Sequence, residues 1–258
     1  MATYNKRGYK TPKEKVENDP QVENITIDEK DSTTAGVFNS LDQTASKTEE
    51  FVAKNQKAIF GIVAVMALVT VGYVLFQKFV AEPKEDTAAT EMFLAQQNFQ
   101  KATDGTKSDS LYNLALKGSE GKFGFVDIAS KYEGTDAGNL ANYYAGMAYL
   151  NTKKYDEAIS YLEKFKSEDM VLSALAIGAI GDAHSQKGQP KEALEFYIKA
   201  SETNKNEFTT PRFLLKAGQT ALGLNNKVDA LKYFTEIKEK YEATPEAANI
   251  DALIGLAQ

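Results

Sequence analysis

The chain of 258 residues carries a single histidine, His184, and neither cysteine nor tryptophan. A thiolate nucleophile, an iron–sulfur centre, a Cys-based zinc site and a disulfide framework all need sulfur that is absent. The phosphate-cradling patterns G-x-G-x-x-G and G-x-x-x-x-G-K-[ST] do not occur, nor does the zinc-protease pattern H-E-x-x-H. Carboxylates are plentiful, but pairs such as Glu157 and Glu163 sit in Lys- and Glu-rich stretches that read as solvated helix faces. His184 lies within GAIGDAHSQKG and reads as a packing residue at a helix interface. No catalytic residue, cofactor or metal is expected. With 36 acidic against 30 basic side chains and a pI of 5.1, the chain repels phosphate, so a general nucleic-acid binder is not expected either.

The elements that would position any site divide into three parts. Ala58 to Gln77 reads AIFGIVAVMALVTVGYVLFQ without a charge, and twenty residues of helix span about 30 Å, the hydrocarbon core of a bilayer. A transmembrane helix is expected over 58–78. A cleaved signal peptide has a short basic leader and an apolar core of roughly 7–15 residues; here a long tail precedes a longer core, and Phe79 spoils cleavage after Ala81. Ahead of its terminal Gln77, Thr70 and Tyr73 are the polar side chains of the run, which lacks the carboxylates or histidines of a transport path.

Residues 1–35 are expected to form a disordered tail, rich in Lys, Glu, Asp, Asn and Thr with too few aromatics to bury a core. Over 36–57, Phe38, Leu41, Ala45, Thr48 and Phe51/Val52 recur at helical spacing. They predict a juxtamembrane amphipathic helix that lies on the membrane surface, meets a partner or simply extends the span. Lys47, Lys54 and Lys57 flank the run on one side and Lys78 and Lys84 on the other. That bias, with nine basic residues in the tail, places the N-terminus in the cytoplasm.

Beyond the span, self-comparison finds three ungapped segments starting near Asn139, Ala174 and Pro211. Each has a Gly, an Ala twelve residues later and a large apolar residue four further on: Gly146/Ala158/Leu162, Gly181/Ala193/Tyr197 and Gly218/Ala230/Phe234. Small residues let two antiparallel helices approach closely, and the large one fills the space beyond. Turn-forming stretches Asn151–Lys154, Gln186–Pro190 and Gly223–Lys227 separate the helices. The unit is a helix–turn–helix of about 34 residues, repeated over 139–245. Residues 82–134 read as a degenerate helical pair, Thr90–Lys101 and Lys122–Tyr132, around a Gly- and Ser-rich loop of about twenty residues. Residues 246–258 read as a closing helix. The expected fold is all-α: one N-terminal transmembrane helix, then an α-solenoid.

These repeats resemble the tetratricopeptide repeat (TPR) family at the small Gly, the second-helix Ala and Tyr149. They depart from it at the usual first-helix Trp, replaced by Asn142, Ile177 and Leu214, and at the later aromatic, replaced by His184 and Ala221. The resemblance implies a concave surface lined by first helices. That surface would hold Leu140, Tyr143, Met147 and Leu150 from the first repeat, Asp182 and Ser185 from the second, and Arg212, Leu215, Lys216, Gln219 and Leu222 from the third. The first group is apolar with an adaptable Met, suited to hydrophobic segments of another protein. TPR domains that clamp acidic chaperone tails use Lys and Asn where this chain has Tyr143 and Met147; Arg212 and Lys216 keep the later basic positions.

As a whole, the organisation resembles the YfgM-like family of bacterial membrane-anchored TPR proteins. LYNLALKG from Leu111 and GNLANYYAGMAYL from Gly138 are similar to its Bacteroidetes-type form. The resemblance implies a non-enzymatic scaffold or chaperone-accessory protein of the bacterial inner membrane, with its solenoid in the periplasm. Its implied partners are Sec translocon subunits, a periplasmic prolyl-isomerase-like chaperone and nascent or unfolded polypeptide, with no nucleic acid. The alternative is a structural assembly factor of another cell-envelope complex, such as an outer-membrane assembly or secretion machine.

Overall fold

The computed structural model describes residues 33–105 and 108–258, with side chains for Ala45 and from Thr48 onward. Of the tail expected over 1–35, residues 1–32 lie outside the described residues. The chain divides into two units, Met1–Thr70 and Val71–Gln258. The described part of the first, residues 33–70, belongs to helix α1 (Thr33–Phe76), which runs without a break through the expected juxtamembrane segment into the apolar run. Residues 61–80 are all exposed, including Leu68 at 72% and Val69 at 66%. By length and composition this helix can cross a membrane. Within the apolar run the Thr70 hydroxyl donates to the Met66 carbonyl at 2.8 Å, which satisfies it inside the helix.

In the second unit a π-helical turn (Gln77–Ala81) precedes α2 (Glu82–Asp104). Pro83 explains the turn: its ring would collide with the carbonyl four residues back, and the helix widens so that the Glu82 N–H reaches the Gln77 carbonyl, five residues back. Helices α2, α3 (Asp109–Lys117), α4 (Phe125–Lys131) and α5 (Asp136–Asn151) share one core. At its centre the Phe99 ring meets Tyr112, Phe125 and Tyr144 edge-on at 5.5, 6.1 and 5.2 Å, a favoured aromatic geometry.

Helix α3 corrects the expected loop. Tyr112, Ala115 and Leu116 lie at helical spacing and are fully buried; the Gly and Ser residues around them mark the ends of a short helix. Ser108 precedes α3, and Gly118 follows it at φ +90°. The N-terminus of α5 is capped from far along the chain. Glu85 accepts from the backbone N–H groups of Asp136 and Ala137 at 2.6 and 2.7 Å, satisfying two donors that the helix leaves open.

Three antiparallel pairs follow: α5 with α6 (Tyr155–Lys164), α7 (Met170–Gln186) with α8 (Pro190–Glu202), and α9 (Thr210–Gly223) with α10 (Lys227–Lys240). Each helix packs on the next, and a 3-10 turn (Pro245–Ala247) leads to α11 (Ile250–Ala257), which packs on α10. The Gly/large pairs meet directly. A Cβ at Gly146 would lie 2.5 Å from Leu162, at Gly181 2.8 Å from the Tyr197 ring, and at Gly218 2.3 Å from the Phe234 ring. Gly178 does the same between repeats, where a Cβ would sit 1.9 Å from the Phe213 ring.

The turns within the repeats share one geometry. Lys153, Gly188 and Asn225 hold φ of +62°, +71° and +59°, offset by the same 35 and 37 residues as the repeats. In each, the following N–H reaches back five residues: Lys154 to Tyr149, Gln189 to His184 and Asn226 to Ala221, at 2.9, 3.0 and 2.8 Å. This is the Schellman closure of a helix C-terminus.

Candidate protein-binding groove

First helices α5, α7 and α9 carry the expected groove residues, and the packing sorts them. Leu140 rests against the N-terminal core. Tyr143, Met147 and Leu150 pack, half-buried, on a small cluster of Leu162, Ala176, Ala179 and Ile180. The Tyr143 ring also meets Tyr144 at 5.7 Å and Phe165 at 5.2 Å. Leu215 and Leu222 pack against the C-terminal core, while Arg212, Ser185 and Gln219 are exposed. The apolar candidates thus serve two purposes: one side seals the repeats together and the other remains open.

Four candidates converge. Leu150, Asp182, Ser185 and Lys216 line one cleft of about 500 Å³, with Tyr155 and Tyr197. Tyr197 Oη donates to Asp182 Oδ1 at 2.8 Å, and Lys216 Nζ donates to the same oxygen at 2.5 Å. Lys216 Nζ lies 5.4 Å from the Tyr197 ring centre, within cation–π range. Burial pushes the Tyr197 phenol well above its ordinary value, and the Asp182 carboxylate beside it pushes the same way. The Tyr143 phenol is also raised, by burial first and then by Tyr144, with the Arg212 charge opposing. Among the described residues no carboxylate forms an ion pair with Arg212.

Tyr197 is the residue that sequence reasoning assigned to packing alone. Its ring does pack on Gly181, but its hydroxyl reaches the groove; the signal was a Tyr where the other repeats have Leu162 and Phe234. A second cleft, about 780 Å³, opens around Asn142, lined by Ala129, Ser130, Tyr161 and Lys164. It lies at a first-helix position where TPR units usually carry Trp, and the small Asn142 leaves space there; its Nδ2 donates to the Gly138 carbonyl at 3.1 Å. Leu214, at the matching position of the third repeat, is buried. His184 Nδ1 lies 2.8 Å from Gln189 Oε1, and its ring stacks on Phe196 at 5.2 Å. Among the described residues no group of three His, Asp or Glu side chains is placed to hold a metal.

Helix pairs stacked on their neighbours, with a glycine beneath a large side chain in each, define an all-α solenoid of helix–turn–helix repeats. The tetratricopeptide repeat model matches residues 141–169 and 174–207, which cover most of α5 with α6 and then α7 with α8. The α9/α10 pair lies outside those matches and carries the same Gly218/Phe234 contact. No curated protein and no solved structure matches the chain. Repeats of this kind build protein–protein interaction scaffolds.

Proposed function

We propose that this chain is a non-enzymatic, membrane-anchored scaffold or chaperone-accessory protein whose solenoid holds partner proteins or emerging polypeptides at the Sec translocon, on the periplasmic side of a bacterial inner membrane. The single observation that carries the binding reading is the groove over α5, α7 and α9. There Tyr143, Met147 and Leu150 are half open to solvent beside the Asp182–Lys216 pair and exposed Arg212. An apolar wall with polar and cationic neighbours suits a segment of another chain.

The exposed apolar run of α1 supports the anchor, and the Lys47, Lys54 and Lys57 flank supports a cytoplasmic N-terminus. The translocon and a prolyl-isomerase-like chaperone are proposed as partners from the resemblance in organisation and repeat motifs. Photo-crosslinking from position 143 or 147 in intact membranes should trap translocon subunits or nascent chains, and Tyr143→Ala with Met147→Ala should lower the yield about tenfold or more. A dominant partner from an outer-membrane assembly or secretion machine would replace this reading with the assembly-factor one. Protease accessibility of residues 82–258 from the cytoplasmic side would overturn the periplasmic placement.

A further inference from the structure

The part of α1 that precedes the apolar run, residues 33–57, is a helix in water. Phe51 keeps 64% of its surface exposed and Val52 46%. A helix in water gains most of its stability by burying one face, and none of the described side chains of this stretch is buried.

We propose that α1 pairs with α1 of a second copy of the chain, as a parallel two-stranded coiled coil just outside the membrane. Phe38, Ala45, Val52 and Ile59 occupy one seam position and Leu41, Thr48 and Asn55 the other. The spacing alternates three and four without a break over residues 38–59, the 3.5-residue period of a left-handed supercoil. Phe38 and Leu41 are placed by register. β-branched Val52 and Ile59 fall on the a position and Leu41 on d, the arrangement that favours two strands. Lys47, Glu50, Lys54 and Lys57 all fall on outer positions. In parallel register the flanking pairs, Thr44 with Glu49 and Phe51 with Gln56, bring no like charges together.

A shallow groove lined by Ala45, Thr48, Val52, Ala53 and Gln56, with Glu49 at its edge, runs beside the seam and leaves room for facing side chains. The anchor selects the occupant. Two copies held by residues 58–78 enter one bilayer from the same side at the same depth, so the parallel register is preset and the encounter is confined to two dimensions. Asn55, on d, then faces Asn55 of the second copy, and a register shift would set its amide against an unlike seam residue.

The absence of cysteine from the chain makes the test direct. Single cysteines are placed in the full chain at seam positions (Ala45→Cys, Thr48→Cys, Val52→Cys, Asn55→Cys) and at outer ones (Lys47→Cys, Glu50→Cys, Lys54→Cys), and native membranes are oxidised. Disulfide formation needs Cβ atoms within about 4.5 Å, so a product of twice 28.3 kDa is expected at the seam positions, with yields about tenfold lower at the outer ones. Adding Val52→Glu to Thr48→Cys should lower the dimer yield by a similar factor. Equal yields at all positions, or a product that is not twice the chain's mass, would overturn the pairing. The inference rests on the membrane reading of residues 58–78, which alkaline carbonate extraction reports separately. Release of the chain overturns the anchor, and the cysteine pattern decides the pairing whichever way extraction comes out.

Discussion

Residues 58–78 and residues 136–240 are both rich in Ala, Gly and aliphatic side chains, yet they use them in opposite ways. Gly61 and Gly72 in the apolar run have open space where a Cβ would stand, whereas Gly146, Gly178, Gly181 and Gly218 each lie under a ring or a leucine. In the repeats a missing side chain is filled from a neighbouring helix. In α1, residues 61–76 are all exposed among the described residues, an apolar surface suited to hydrocarbon or another chain. Hydrophobic content alone says little about fold; the spacing of the small residues, and whether large ones arrive opposite them, separates a repeat core from a membrane span.

The largest test of this contrast removes a large side chain on each side of it. Phe234→Ala should cost about 3–5 kcal/mol, because the fully buried ring leaves a cavity against Gly218. Leu68→Ala should leave the solenoid's unfolding transition unmoved. Denaturant titration of the full chain in detergent, followed by circular dichroism, measures both.

Next comes the glycine itself. Gly218→Ala should cost about 1–3 kcal/mol by overpacking, since its Cβ would stand 2.3 Å from Phe234. Combining it with Phe234→Leu should recover part of the loss, a coupling that a double-mutant cycle detects. Gly72→Ala should leave that transition unmoved.

A pH-dependent effect follows from Tyr197. Its phenol titrates above the ordinary value of about 10 in the folded state. Its neutral form therefore contributes stability that is fully present below about pH 10 and is lost as pH climbs toward the folded value. Denaturation midpoints measured from pH 8 upward should fall in the alkaline range, and Tyr197→Phe should make that fall shallower.

The smallest effect concerns the turns. Lys153 holds a left-handed conformation that its counterpart Gly188 adopts without a Cβ penalty. Lys153→Gly should raise stability by about 0.5–1 kcal/mol after the glycine's greater unfolded-state entropy is subtracted. Gly188→Lys should lower it by a similar amount in the same titration.

Much of the fold was legible from local spacing. The three Gly/Ala/large triplets announced the helix pairs, and the turn residues marked the positions that hold positive φ. Helix α3 was missed because its nine residues lie between Gly- and Ser-rich ends, and a short helix shows its face only once Tyr112 and Leu116 have a core to enter. The first-helix faces that carry the candidate groove residues were legible from the repeat spacing. Their division was not: Leu140, Leu215 and Leu222 turned toward the cores, while Leu150, Asp182, Ser185 and Lys216 came together with Tyr197, which spacing had given to packing alone.

The sequence by itself determined the long apolar helix, the repeat period and the all-α solenoid, because each follows from the 3.6-residue geometry of a helix and the sizes of side chains a few positions apart. Only the tertiary structure decided what depends on segments distant in the chain. Glu85 caps α5 from more than fifty residues upstream, Phe213 fills the space above Gly178, and Asp182 gathers Tyr197 and Lys216 from two other helices. Those contacts have no local period. They form where the accumulated packing of every intervening helix brings the partners within reach.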